Sequence, residues 1–186
     1  AGVDEVGRGS LVGPVYAAAV ILKKNINLEI LKDSKSIKKD KREIISNYIK
    51  KNTIWAVAFA SRAEIEKMNI LNASLLAMKR AIKKLKTKPS HVLIDGNRVP
   101  KIKSYKIIAV VKGDKKIPAI SAASIVAKVA RDKFIISLSK KNKGYYWEKN
   151  FGYGTKQHLN AIKKLGVNKN HRKTFMPITK LIKHNI

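Results

Sequence analysis

The chain has 186 residues, with 41 Lys plus Arg against only 12 Asp plus Glu, a formal net charge of +29 and no cysteine. The missing thiols exclude disulfides and thiolate zinc sites, and a hydrophobic content of 45% is ample for one core. The longest nearly unbroken apolar run, "LVGPVYAAAVIL", is 12 residues, short of the ~18 that a membrane span needs.

We therefore expect a cytoplasmic protein without membrane association, built as one domain over residues 1–186. The positive charge makes a polyanion the default partner, through phosphate contacts and counterion release. Composition alone does not separate a nuclease from a packaging or ribosomal protein.

In chain order, "GVDEV" and "PVYAAAVIL" read as two strands joined through Gly7, Gly9 and Gly13. A turn at Asp33–Lys35 leads into an amphipathic helix with Ile44, Ile45, Tyr48 and Ile49 on its apolar side. "TIWAVAFA" reads as a third strand, followed by a capping box formed by Ser61 and Glu64. A helix over "NASLLAMKRAIKKL" comes next, then two short β-rich runs, "HVLIDGN" and "YKIIAVVKGD". A long helix follows over "IPAISAASIVAKVARDKFIISLSK", with Pro118 near its start. The helix "TKQHLNAIKKLG" stops at Gly166 and opens a helical C-terminal region over about 156–186. Strands come early and alternate with helices later, which predicts an α/β domain on a mixed sheet.

In so basic a chain each carboxylate asks for a reason. Most have structural ones: Glu64 caps, Asp40 and Glu43 suit the start of a helix, Asp132 lies one helical turn from Lys128, and Asp33 suits a turn. Asp4, Glu5, Asp95 and Asp114 remain. Each lies at the end of an apolar β-like run beside glycine, and in α/β sheets the carboxyl ends of strands are where ligand sites are built.

If the four converge, two carboxylates ~4 Å apart repel by about 4 kcal/mol at an effective dielectric of 20, so the cluster must either take up protons or hold a cation. Oxygen ligands alone select Mg²⁺ or Mn²⁺ rather than zinc. His91, His158, His171 and His184 show no ligand spacing, which fits an all-oxygen site. A carboxylate-held metal pair on a basic protein suits phosphodiester hydrolysis. Neighbouring strand residues point to opposite faces, so Asp4 and Glu5 share a site only where the strand ends or where the metals lie beyond its edge.

Taken in order, "DEVGRG", "LVGPV", "DSK", "NILNASLLAM", "LIDGN", "VVKGD", "SAASIVAKVARD" and "GYGT" resemble bacterial type 2 ribonuclease H, the ribonuclease HII family. One departure is Ser36, in "DSKSI", where the family carries a lysine. The resemblance implies a ribonuclease H-like fold, a mixed five-stranded sheet flanked by helices. It implies cleavage of the RNA strand of RNA–DNA hybrids and incision 5′ to single ribonucleotides embedded in duplex DNA; separately, we expect a monomer. It makes Asp4, Glu5, Asp95 and Asp114 the catalytic metal ligands, holding two Mn²⁺ or Mg²⁺ ions. Gly7, Arg8 and Gly9 become the loop that reads the ribose, Tyr153 the tyrosine against the sugar, and Lys35, Ser124 and Lys128 contacts to the substrate strand.

Those residue types suit the task. Telling one ribonucleotide from DNA depends on a single 2′-hydroxyl, and a glycine-bordered backbone approaches a sugar closely because no Cβ intervenes. Ser121, Ser124, Lys128 and Arg131 recur at helical spacing, which reads either as a phosphate-gripping stripe or as a solvated face. Of the aromatics in "YYWEKNFGY", core packing or loop anchoring suits Tyr145, Tyr146, Trp147 and Phe151. Two other readings stay open at this point: a non-catalytic nucleic-acid-binding protein that uses its lysines alone, and a junction resolvase on the same fold.

Overall fold

A computed structural model of the chain describes residues 1–31 and 39–183; the side chains of Lys39 and Asp40 are not described. Lys35, Ser36, Asp33 and His184 lie outside the described residues. Five strands form one sheet in the order β3-β2-β1-β4-β5. They are β1 (Gly2–Val6), β2 (Val15–Leu22), β3 (Thr53–Ala60), β4 (His91–Asp95) and β5 (Lys106–Val110). β1, β2 and β3 pair antiparallel, while β4 and β5 add in parallel. The expected mixed five-stranded α/β sheet is what the chain forms.

The helices are α1 (Lys39–Asn52), α2 (Arg62–Lys83), α3 (Gly113–Lys116), α4 (Pro118–Lys140), α5 (Trp147–Asn150), α6 (Lys156–Leu165) and α7 (Ile178–Lys183). The alternation of β2 divides the core between two faces. Val15, Ala17 and Ala19 pack with α2 residues such as Ala73, Ala77 and Ala81. Ala18 and Val20 pack with Ala122, Ala123 and Ala127 of α4 and with Ile49 of α1. Small residues on both partners let helix and sheet approach closely. At Gly2 the approach is closest, since a Cβ there would lie 2.1 Å from the Ala119 carbonyl carbon.

Two local outcomes differ from the expected elements. The Ser61–Glu64 capping box is present, worth about 1 kcal/mol, but its helix does not end before "NASLLAM". It runs on through a break at Asn69, whose φ of 67° is left-handed, and the Asn69 Oδ1 accepts from the Asn72 N–H at 3.1 Å to restart it. The second concerns Asp114. β5 ends at Val110, and left-handed Lys112 (φ 57°) turns the chain into α3, so Asp114 sits in a short helix rather than on the strand end.

At the outer edge of β3, α2 and its C-cap residue cover two backbone acceptors. Arg80 donates to the Phe59 carbonyl at 2.9 Å and Lys84 to that of Val57 at 3.4 Å. Beyond α5, the C-terminal region packs a third cluster in which Leu11, Val12 and Ile135 meet Trp147, Ile162 and Ile178. α6 and α7 confirm helix in that region, separated by an irregular stretch.

Candidate active site

The site is built where the sheet changes direction. β1 pairs with β2 as far as Val6, but its pairing with β4 reaches only Val3 opposite Ile94. Asp4 and Asp95 come next on the two strands, at the mouth of the crevice so opened. Glu5 stands on the edge of β1 that β4 leaves uncovered, so the strand does not need to end for both acids to serve one site. Asp4, Glu5, Asp95 and Asp114 all line one cleft of about 330 Å³.

α4 supplies the opposite wall. Ser124 and Lys128, one turn apart, line the same cleft, and the Ser124 hydroxyl is near enough to Asp4 to favour its charged form. Lys128 pairs with Asp132 at 2.6 Å and lies 4.6 Å from the Phe151 ring centroid. The helical stripe read from the sequence splits here. Ser121 is buried and donates to the Leu31 carbonyl at 2.6 Å, and Arg131 is fully buried with backbone carbonyls as partners. Only Ser124 and Lys128 of that set face the cleft. Arg42 of α1 also lines it; the sequence carried no signal for Arg42 beyond its place in a charged run.

Electrostatics make the cleft a costly place for bare carboxylates. Burial, and then the neighbouring Glu5, push the Asp4 carboxyl up to about 7, with Asp95 adding to the rise and the Ser124 hydroxyl opposing it. Glu5 is also raised, chiefly by burial, while the Arg8 guanidinium pulls it back. Among the described residues no three acidic or histidine side chains are already arranged as a metal cage. Asp4, Glu5 and Asp95 each have another partner. Asp4 Oδ1 accepts from the Glu5 N–H at 2.7 Å, Glu5 Oε1 from Arg8 at 3.1 Å, and Asp95 Oδ1 from the Gly113 N–H at 2.7 Å. The donor set nonetheless fits a hard divalent ion: four carboxylates and no sulfur or imidazole line the cleft.

The glycine loop adjoins this cleft in sequence and in space. Gly7 has a φ of 92°, and a Cβ on it would lie 2.1 Å from Arg131 Nε, so no other residue fits without displacing that guanidinium. Arg8 is exposed apart from its pair with Glu5, and a Cβ on Gly9 would meet open space. Tyr153 joins the loop through a backbone bridge to Ser10 and stacks 5.4 Å from the Arg131 guanidinium. Tyr145 and Trp147 pack in the core and Phe151 is half-buried, as expected, but Tyr146 is exposed.

No pattern in the chain announced the pair of rings beneath Tyr153. His158 and His171, both fully buried, stack with ring centroids 5.3 Å apart. The His158 Nδ1–H donates to the Tyr153 carbonyl at 2.9 Å, and its Nε2 accepts from Trp147 Nε1 at 2.9 Å. His171 Nδ1 accepts from the Asn168 N–H at 2.8 Å, so its proton sits on Nε2, 3.2 Å from His158 Nε2. Both rings are thus neutral, with tautomers set by the network. Burial lowers both pKa values, and the proximity of His158 helps take His171 to about 4.

The sequence signature described as ribonuclease HII matches residues 1–178. The chain belongs to the ribonuclease HII family. The ribonuclease HII of Pelagibacter ubique (strain HTCC1062) is 67% identical over 182 residues, covering 98% of each chain. The crystal structure of ribonuclease H2 from Pyrococcus horikoshii OT3 superimposes with a TM-score of 0.81 at 29% identity, covering 98% of this chain and 96% of the other. Bst-RNase HIII, crystallised in complex with Mn²⁺, shares the fold with a TM-score of 0.72 at 17% identity, over 98% of this chain and 68% of its own. The chain is thus a ribonuclease H endonuclease, of a family whose members depend on divalent metal and act on RNA–DNA hybrids. No described helix is long and apolar enough to cross a membrane.

Proposed function

We propose that Asp4, Glu5, Asp95 and Asp114 hold two Mn²⁺ or Mg²⁺ ions and that the chain incises 5′ to single ribonucleotides embedded in duplex DNA, besides hydrolysing the RNA of hybrids. The observation that carries this reading is the gathering of four of only 12 acids into one cleft of a chain charged +29. Bound there, the ions supply Lewis-acid chemistry for in-line attack of water on phosphorus and neutralise charge on the leaving 3′-oxygen.

The protein's own groups do the rest. Gly7, Arg8 and Gly9 bring backbone and guanidinium to the ribose, where the 2′-hydroxyl is the only mark of RNA. Tyr153 packs its ring on the sugar at the junction. Ser124 and Lys128, on the wall facing the carboxylates, hold phosphates of the cut strand, and Lys35 serves the same strand. Lys128 lines the same cleft as the acids that repel that strand, with its ammonium paired to Asp132, and adds positive charge to the wall the strand approaches. We read the protein as a single-domain cytoplasmic monomer.

The test is a DNA duplex carrying one ribonucleotide, incubated with Mn²⁺ or Mg²⁺ beside an all-DNA control. Incision 5′ to the ribonucleotide, leaving 5′-phosphate and 3′-hydroxyl ends, is expected. A 2′,3′-cyclic phosphate would mean that the ribose hydroxyl attacks, and cutting of the all-DNA control would point to a resolvase. Asp95→Asn is expected to abolish turnover with folding intact.

A further inference from the structure

The two parts of the ribose-reading site come from distant stretches of chain. The 7–14 loop leaves β1, and Tyr153 follows α5. Two fully buried arginines hold them: Arg131 bridges the two pieces, and Arg172 fixes the loop from the C-terminal side. Arg131 of α4 donates to the Val12 carbonyl at 3.2 Å and, more distantly, to that of Pro14 at 3.4 Å. The same guanidinium donates to the Phe151 carbonyl at 3.1 Å and stacks on Tyr153. Arg172, ahead of α7, donates to the carbonyls of Arg8 at 2.9 Å and Gly13 at 2.8 Å and lies 5.0 Å from the Phe175 ring centroid.

Stability is a poor reason for this arrangement. Burying a guanidinium costs several kcal/mol, and apolar side chains of similar volume often serve a core as well or better. Here two like charges are buried near one another, and their hydrogen-bond partners are carbonyl oxygens rather than carboxylates. Burial and the charge of Arg131 together take Arg172 down to about 9. What the pair provides is direction: the planar forks fix five carbonyls at set angles, those of Arg8, Val12, Gly13 and Pro14 on the loop and that of Phe151 beside Tyr153.

We infer that Arg131 and Arg172 are positioning residues for ribose selection, locking the 7–14 loop and residues 151–153 into one rigid reading unit. The inference rests on the reading of Gly7, Arg8, Gly9 and Tyr153 as the groups that meet the ribose. A displacement of about 1 Å in such a site costs roughly 100-fold in rate. The two substrates feel that cost differently. A continuous RNA strand offers a 2′-hydroxyl at every register, so a loosened reader still finds a productive one. A lone ribonucleotide offers a single register.

The experiment compares Arg131→Met and Arg172→Met with the unaltered chain in Mn²⁺, after thermal melts establish that each is folded. Rates are measured on a duplex with one embedded ribonucleotide and on a uniform RNA–DNA hybrid. The ratio of the two is expected to fall at least about 30-fold, through kcat, with hydrolysis of the uniform hybrid held within about threefold. An unchanged ratio, or an equal loss on both substrates, overturns the proposal. Should the methionine variants not fold, Arg131→Lys and Arg172→Lys keep the charge but lose the fork. They are expected to lose part of the ratio, and a full ratio in the folded lysine variants also overturns the proposal. Tyr153→Phe, run alongside, separates the two levels. Full selectivity in that variant removes Tyr153 as a reader, whereas lost selectivity there with retained selectivity in the arginine variants removes only the positioning role.

Discussion

Arg8 and Glu5 are joined at 3.1 Å, so the loop proposed to read the ribose also holds one of the carboxylates proposed to bind metal. Arg8 is half-exposed, while Glu5 is largely shielded. The pair is therefore weak as a source of stability and informative as a link between recognition and chemistry. In Arg8→Ala, Glu5 loses its counter-charge and its pKa is expected to rise further. Incision at a single embedded ribonucleotide should fall about tenfold or more, the equivalent of about 1.4 kcal/mol, with a smaller loss on a uniform hybrid. Parallel assays on the two substrates check this, and equal losses would unlink Arg8 from ribose reading.

Asp4 is expected to cost the metal-free protein stability. Its folded pKa, about 7, lies above the unfolded value of 3.8. The folded form therefore keeps its proton longer, and stability that is complete below pH 3.8 is lost as pH rises through 7. Asp4→Asn removes that penalty. Without divalent ions the variant should be more stable by about 1–4 kcal/mol at pH 8 and equal to the parent near pH 4, while losing activity. Denaturant melts at the two pH values measure the difference, and no gain at pH 8 would count against the account.

The histidine pair carries the opposite sign. His171 titrates at about 4 when folded against 6.5 when unfolded. Its contribution is intact above pH 6.5 and is lost as pH falls from there toward 4, by up to about 3 kcal/mol. Urea melts at pH 7.5 and 4.5 should show that loss, and His171→Gln should reduce it. Trp147 donates to His158, so its fluorescence offers a local probe of the same transition.

Gly2→Ala tests the close approach of β1 and α4. The added methyl would sit 2.1 Å from the Ala119 backbone, where no flexible side chain can yield. A destabilisation of about 3 kcal/mol or more is expected, seen as a fall in Tm of about 10 °C. A Tm within a degree or two of the parent would show that α4 shifts freely.

Lys128 shares its charge between Asp132 and the cleft. Lys128→Ala should weaken substrate binding and lower the slope of log K against log salt by about 0.9. An unchanged slope would assign the ammonium wholly to Asp132.

The features the sequence disclosed were those written in local pattern. The apolar runs of β1 and β4 show their terminal acids, the Ser61–Glu64 box announces a helix start, and the +29 balance makes Asp4 and Asp95 conspicuous. What stayed hidden depends on pairings distant in sequence. Periodicity set Arg131 beside Lys128 on one helical face, yet only the return of the 7–14 loop and residues 151–153 over α4 buries the first and leaves the second at the cleft. His158 and His171 lacked any ligand spacing because their partner is each other. Asp114 looked like a strand end because "VVKGD" does not reveal that Lys112 turns left-handed.

The clasp of Arg80 and Lys84 on β3 bears on how the molecule behaves in a crowd. A bare strand margin is a template on which further chains can grow, and here two of its acceptor groups are already taken by cationic side chains of the same subunit. A second sheet that came alongside would have to displace them, so this border discourages aggregation without needing a cap of its own.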